Sequence, residues 1–162
     1  MNAVEPYDWA AFLHSRLDEI SPRAPLDGLA RGGYRLIYGE TPTDYAKAEE
    51  SRRKVTDLSY SLGATVDGSG KFTAILWDGP AFRAGFTTEV QIVAVNNIAF
   101  DGDKLKAAVK ATKGKGPAVE LLVKQGDRYR TVRIDYHEGL RYPRLERIEG
   151  TPARLDDILG PR

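Results

Sequence analysis

The chain has 162 residues, 24 Lys and Arg against 23 Asp and Glu, a formal net charge of +1 and no cysteine. That length suits one domain with an appendage. The balanced charge argues against a nucleic-acid or anionic-membrane partner, which would favour a concentrated basic surface, and the lack of cysteine excludes disulfides and thiolate chemistry.

No apolar run approaches the roughly 18 residues that cross a bilayer, and the N-terminus lacks the basic and then apolar regions of a signal peptide. The compartment stays open: a periplasmic or secreted parent and a cytoplasmic one both fit. Trp9, Phe12, Leu13, Leu17 and Ile20 recur at helical spacing, so a helix is expected over 9–20, capped by Asp8 and ended by Ser21-Pro22. Its apolar stripe reads as a packing surface. Residues 21–28 read as a linker or ordered loop, Arg31-Gly32-Gly33 as a pivot, and 34–38 as a strand. Thr41-Pro42-Thr43-Asp44 is a helix start with Thr41 as N-cap. The helix over 44–54 is expected to pack through Tyr45, Ala48 and Arg52, with its charges forming a solvated face.

Ser61-Leu62-Gly63-Ala64 reads as a turn entering a strand. Ala64 and Val66 alternate there with Thr65 and Asp67, which predicts one buried face and one wet face. Asp67-Gly68-Ser69-Gly70 makes a tight connection and 72–77 returns antiparallel. Residues 80–85 form a one-turn helix closed by Gly85 in a left-handed conformation. A short strand over 91–95 ends in the turn Asn96-Asn97. The helix from 102 or 103 to about 112 buries Leu105, Ala108, Val109 and Thr112 and is capped by Asp101 or Asp103. Strands 119–124 and 129–134 pair across Gln125-Gly126-Asp127. In the tail, Tyr142, Leu145 and Ile148 pack along the body, and Thr151-Pro152 caps a short helix ending near Leu159.

Three segments carry a resemblance in order. Leu62-Gly63-Ala64 is similar to the carboxylate-binding loop of PDZ domains, Gly79-Pro80-Ala81-Phe82-Arg83-Ala84-Gly85-Phe86 to their Ser-Pro-Ala-x-x-Ala-Gly-Leu turn, and Ile92-Val93-Ala94-Val95-Asn96-Asn97 to their Ile-x-x-Val-Asn-Gly strand. With Tyr7-Asp8-Trp9, Leu26-Asp27-Gly28-Leu29, Gly33-Tyr34-Arg35-Leu36, Tyr142-Pro143-Arg144-Leu145 and Leu155-Asp156-Asp157-Ile158-Leu159, the whole chain resembles the C-terminal part of the M61 peptidase (glycyl aminopeptidase) family. Thr88-Glu89-Val90 departs from the acidic Gly-Asp usual before the strand.

The resemblance implies a fold that is mainly β with α: a PDZ-like antiparallel β-barrel or sandwich with two packing helices and an N-terminal helical extension. The implied division is an extension over 1–57, a PDZ-like domain over 58–136 and a structural tail over 137–162. It also implies a parent zinc aminopeptidase preferring small N-terminal residues. Its His-Glu-x-x-His site would lie upstream of the region matched, so the zinc belongs to a separate catalytic domain of the same polypeptide. No cofactor is expected in this chain.

A glycine-containing turn before a strand aims successive N–H groups into one concavity that suits a carboxylate. Leu62, Gly63 and Ala64 are the expected donors to a peptide or protein C-terminus. An extended peptide would add to the strand beginning at Ala64, with Val66, Leu105 and Val109, beside Leu62, lining the pocket for its last side chain. Burying that side chain contributes about 1.5–3 kcal/mol, whereas a micromolar complex needs about 8, so backbone pairing and the carboxylate must supply the rest. On this reading a charge at Leu105 abolishes peptide binding and spares the fold. The alternative is an interdomain scaffold whose groove is closed, with the same residues serving as core. There the flanking helix or the tail from Tyr136 to Arg162 closes it, and a tail or neighbouring strand paired along the strand starting at Ala64 would favour this alternative.

The signals for catalysis are poor. His14 and His137 are the only histidines, and neither has a second imidazole one helical turn away. No serine sits in a G-x-S-x-G elbow, Gly68-Ser69-Gly70-Lys71 is half a phosphate loop, and Glu49-Glu50 and Asp156-Asp157 are adjacent rather than on one face.

Overall fold

A computed structural model describes residues 3, 6–20 and 24–161. In chain order the elements are α1 (Trp9–Leu17), α2 (Asp27–Arg31), β1 (Tyr34–Gly39), α3 (Asp44–Arg53), β2 (Val55–Leu58), β3 (Ala64–Asp67), β4 (Phe72–Ile75) and α4 (Pro80–Arg83). They continue with β5 (Gln91–Val95), β6 (Ile98–Ala99), α5 (Gly102–Ala111), β7 (Val119–Gln125), β8 (Arg128–Ile134), β9 (Tyr142–Arg147) and α6 (Arg154–Leu159). The chain divides into two compact units, Met1–Arg35 with Arg147–Arg162, and Leu36–Glu146.

In the first unit, Asp8 caps α1 by accepting the Ala11 N–H at 2.9 Å. The helix ends at Leu17, short of the expected 20, because Asp18 and Glu19 oppose the negative end of the helix dipole; the expected stop at Ser21-Pro22 lies outside the described residues. Tyr7, Trp9 and Phe12 meet edge-on, with centroids 5.3–6.0 Å apart. Farther along the stripe, Leu17 and Ile20 are exposed. The expected pivot is in part a helix, α2, whose Asp27 pairs with Arg16 and Arg31. Arg147 donates to the carbonyls of Gly33 and Ile148 and to Thr151 Oγ1. Gly33 has φ +87°, and a Cβ there would come within 2.4 Å of the Pro152 carbonyl oxygen, so only glycine fits. The Tyr34 hydroxyl donates to Asp156 of α6 at 2.5 Å. Thr151 does not cap α6; its hydroxyl donates to the Ile148 carbonyl.

The second unit holds the core. Strands β2-β3-β4 form one sheet and β6-β5-β7-β8 another, both antiparallel, while β1 and β9 pair separately. This is a mixed α/β fold: among the described residues six helices are present rather than two packing helices, and no sheet closes into a barrel. The alternation on β7 holds, with Val119, Leu121 and Val123 buried in one cluster with Leu105 and Val109 of α5, whose N-cap Asp101 accepts from Asp103 and Lys104. The expected domain over 58–136 lies inside this unit.

Three local expectations are corrected. The N-cap of α3 is Thr43, which accepts the Ala46 N–H, rather than Thr41. That helix is turned so that Ala46, Glu49 and Glu50 face inward, leaving Tyr45 and Ala48 exposed. Thr65, expected on a wet face, is buried, with the Ser59 hydroxyl 3.4 Å from its own and the Thr73 hydroxyl donating to its carbonyl. Among the described residues no helix is long and apolar enough to cross a membrane.

Candidate functional site

The loop from Leu58 to Ala64 is built by its glycine. Gly63 takes φ +71°, which lets the Ser61 and Gly63 N–H groups converge on the Leu58 carbonyl oxygen, each at 3.0 Å. On its other side the loop is fixed to the 76–81 turn, where the Leu76 N–H donates to the Gly63 carbonyl and the Ala81 N–H to the Leu62 carbonyl, both at 2.8 Å. The Ser61 hydroxyl accepts the Arg141 N–H at 3.0 Å. Of the expected donors Leu62, Gly63 and Ala64, the Gly63 N–H is spent, together with that of Ser61, on the chain's own Leu58 carbonyl.

Strand β3 pairs along both edges. Thr56 faces Val66 and Leu58 faces Ala64 on the β2 side, while Ala64 faces Ile75 and Val66 faces Phe72 on the β4 side. The Asp57 N–H points away from β3 and donates to the Glu50 carboxylate at 2.7 Å. In an antiparallel ladder hydrogen-bonding direction alternates, so Thr56 and Leu58 turn their N–H groups toward β3. On the β4 side the Asp67 N–H donates to the Lys71 carbonyl at 2.9 Å, in keeping with that alternation. The strand edge to which a peptide would add is thus taken by β2.

The structure brings together the residues expected to form the groove. Leu62, Ala64, Val66, Leu105 and Val109 are each no more than 2% exposed and belong to one core cluster, which also contains Leu58. Helix α5 abuts β2 at its first residue, since a Cβ on Gly102 would lie 2.3 Å from Thr56 Oγ1. Leu58, 1% exposed, contributes its aliphatic side chain to that cluster.

The segment Val55–Leu58 is the part of the site that sequence reasoning passed over. Its signal in the sequence is slight, two β-branched residues, Val55 and Thr56, in a run of four. Tyr60 is half exposed beside the loop, where its ring tilts against Tyr38 at a centroid distance of 5.9 Å.

On the far side of β2 lies a cavity of about 240 Å³ between α3, β2 and β9, lined in part by Tyr45, Tyr60 and Tyr142. Glu50 bridges its inner wall, accepting from Asp57 N–H and from Lys106 Nζ at 2.6 Å. The Tyr142 hydroxyl is buried and has no hydrogen-bond partner among the described residues. Burial, and then the Glu50 and Asp57 carboxylates, push it up to about 12. Free tyrosine ionises near 10, so the folded state holds this proton longer than the unfolded chain. Its contribution is complete below about pH 10 and falls as pH rises toward 12. Urea midpoints measured across that window should decline in the native protein, and Tyr142→Phe should remove part of the decline; an unchanged slope would contradict the assignment.

Neither histidine stands in a metal site: His14 pairs with Asp18, and His137 lies by Asp135 and the Thr112 carbonyl. Among the described residues no group of three or more His, Cys, Asp or Glu side chains is placed to hold a metal ion.

No protein-family model matches the chain, and no curated protein matches it. Among solved structures it is similar to the crystal structure of an aminopeptidase N family protein from Idiomarina loihiensis, with a TM-score of 0.58 and 15% sequence identity. The likeness covers 97% of this chain and 27% of that one, a distant and partial match that speaks to the fold.

Proposed function

We propose that the chain is a non-catalytic, PDZ-like module of a larger M61-type metallo-aminopeptidase, and that it serves as an interdomain scaffold whose peptide groove is filled by its own strand β2. The observation that carries this reading is the pairing of β3 along both edges. β-Augmentation needs a free row of backbone donors and acceptors, and β2 supplies the partner for that row. The converging N–H groups of the loop suit a carboxylate, yet two of them bond the Leu58 carbonyl.

A larger parent accords with the solved neighbour, of which this chain covers 27%. In such a parent the zinc and the His-Glu-x-x-His motif belong to the separate catalytic domain, and this module's partner is that domain. The test is a two-dimensional NMR titration with random C-terminal peptides, free-carboxylate and amidated in parallel. Neither pool should shift the amides of Leu62, Gly63, Ala64, Val66, Leu105 or Val109. Shifts there with the free-carboxylate pool alone would replace the scaffold by a receptor for chain ends.

A further inference from the structure

We propose that the cavity between α3, β2 and β9 binds a primary alkylammonium group on an aliphatic stem, the chemistry of a lysine side chain or of a free alkylamine. Four observations converge on that ligand. The walls are aromatic and aliphatic, with Tyr45, Tyr60 and Tyr142 joined by Ala46, Val55 and Pro143, and aromatic faces attract cations as well as hydrocarbon. The volume, about 240 Å³, accommodates an extended aliphatic chain.

The third observation is the Tyr142 hydroxyl. Tyr142 is only 6% exposed, and its oxygen makes no hydrogen bond among the described residues. Leaving a buried polar group unpaired is costly, so the site gains from any ligand that donates to this oxygen. The fourth is the charge around it. Glu49 and Glu50, which line the same cavity, are already paired with Arg52 and Lys106. Asp57 lines it too and forms no ion pair among the described residues; its Oδ1 accepts from the N–H and hydroxyl of Ser59. Arg53 is the cation among the lining residues, and it is exposed.

An ammonium has three donors. Seated at Tyr142, it gives one to the phenolic oxygen and one toward the Asp57 carboxylate, with its stem against the tyrosine rings. A neutral alcohol of the same length lacks the charge, and an anion would meet Asp57 and Glu50. This site lies on the opposite side of β2 from the filled groove and does not depend on whether that groove takes peptides.

The test is an NMR titration of the full chain with n-butylammonium and, in parallel, N-acetyl-lysine N-methylamide. The controls are 1-butanol and N-acetyl-norleucine N-methylamide. Saturable shifts confined to Ala46, Val55, Asp57, Tyr60 and Tyr142 are expected with at least one ammonium ligand and not with its neutral counterpart. Binding of the lysine derivative alone would identify a side chain as the source; binding of both would admit a free amine. Tyr142→Phe, which removes only the hydroxyl, should weaken binding roughly tenfold, as should Asp57→Asn, with the dispersed spectrum retained in each. Equal binding of the neutral compounds, no saturable shift with either ammonium, or unchanged affinity in folded Tyr142→Phe would overturn the assignment.

Discussion

Truncating Leu58 to alanine is expected to lower stability by about 2–5 kcal/mol, the range for removing a fully buried leucine. Leu58 is 1% exposed and shares its core with Leu62, Val66, Leu105 and Val109, so the truncation leaves a cavity in that core. Urea denaturation followed by circular dichroism measures the loss; a cost below about 1 kcal/mol would mean that Leu58 does not pack there. Leu105→Asp follows the same logic. A groove wall open to solvent would tolerate the charge, but Leu105 is 1% exposed, and an unpaired buried carboxylate is incompatible with that site. The variant is expected to lose cooperative folding, not merely ligand binding.

Gly70→Ala is expected to cost at least about 2 kcal/mol, whereas Gly68→Ala, two residues away in the same turn, should be within about 0.5 kcal/mol of neutral. Gly70 has φ +90°, and a Cβ there would lie 2.3 Å from the Ile92 carbonyl oxygen and 3.1 Å from Phe100 Cδ1. The backbone cannot retreat easily, since the Ile92 N–H donates to the Gly70 carbonyl at 2.8 Å and the Gly70 N–H to the Asp67 carbonyl at 3.0 Å. Gly68 has nothing within 4 Å of its added Cβ and does not have a positive φ. Paired thermal melts measure the difference. Equal effects would show that the close approach between this turn and β5 is absent in solution.

Local features of the fold were legible because local chemistry decides them. Asp8 and Asp101 cap their helices, Gly85 takes φ +77° after α4, and Asn96 and Asn97 turn with positive φ, all as residue type dictates. The alternation of Val119, Leu121 and Val123 likewise marks a half-buried strand from sequence alone. What escaped is either too short to show a period or paired with a distant segment. Val55–Leu58 is of the first kind: four residues carry too little periodicity to declare a strand, although β3, its partner, follows after the short loop 59–63. Tyr142–Arg147 became strand β9 through pairing with β1, more than a hundred residues earlier.

The candidate groove divides in the same way. Leu62, Val66, Leu105 and Val109, expected together on the walls of a groove, lie in one core cluster, and an apolar pocket and an apolar core use the same residue types. Whether such residues line an open groove or a closed one depends on a third element lying between them. Strand β2 lies beside β3, joined to it by the short loop 59–63, and abuts α5 where the missing side chain of Gly102 meets Thr56.

Amide hydrogen exchange along β3 tests the filled groove most directly, because alternate residues of this one strand report on opposite neighbours. Val66 faces β2 across the Thr56 pair, while Asp67 donates toward β4. If β2 occupies the groove, the Val66 and Thr56 amides should be protected to within about tenfold of the Asp67 amide, all opening together. Fast exchange at Val66 and Thr56 beside slow exchange at Asp67 would contradict the account, for β3 would then present a free edge to solvent and to peptides.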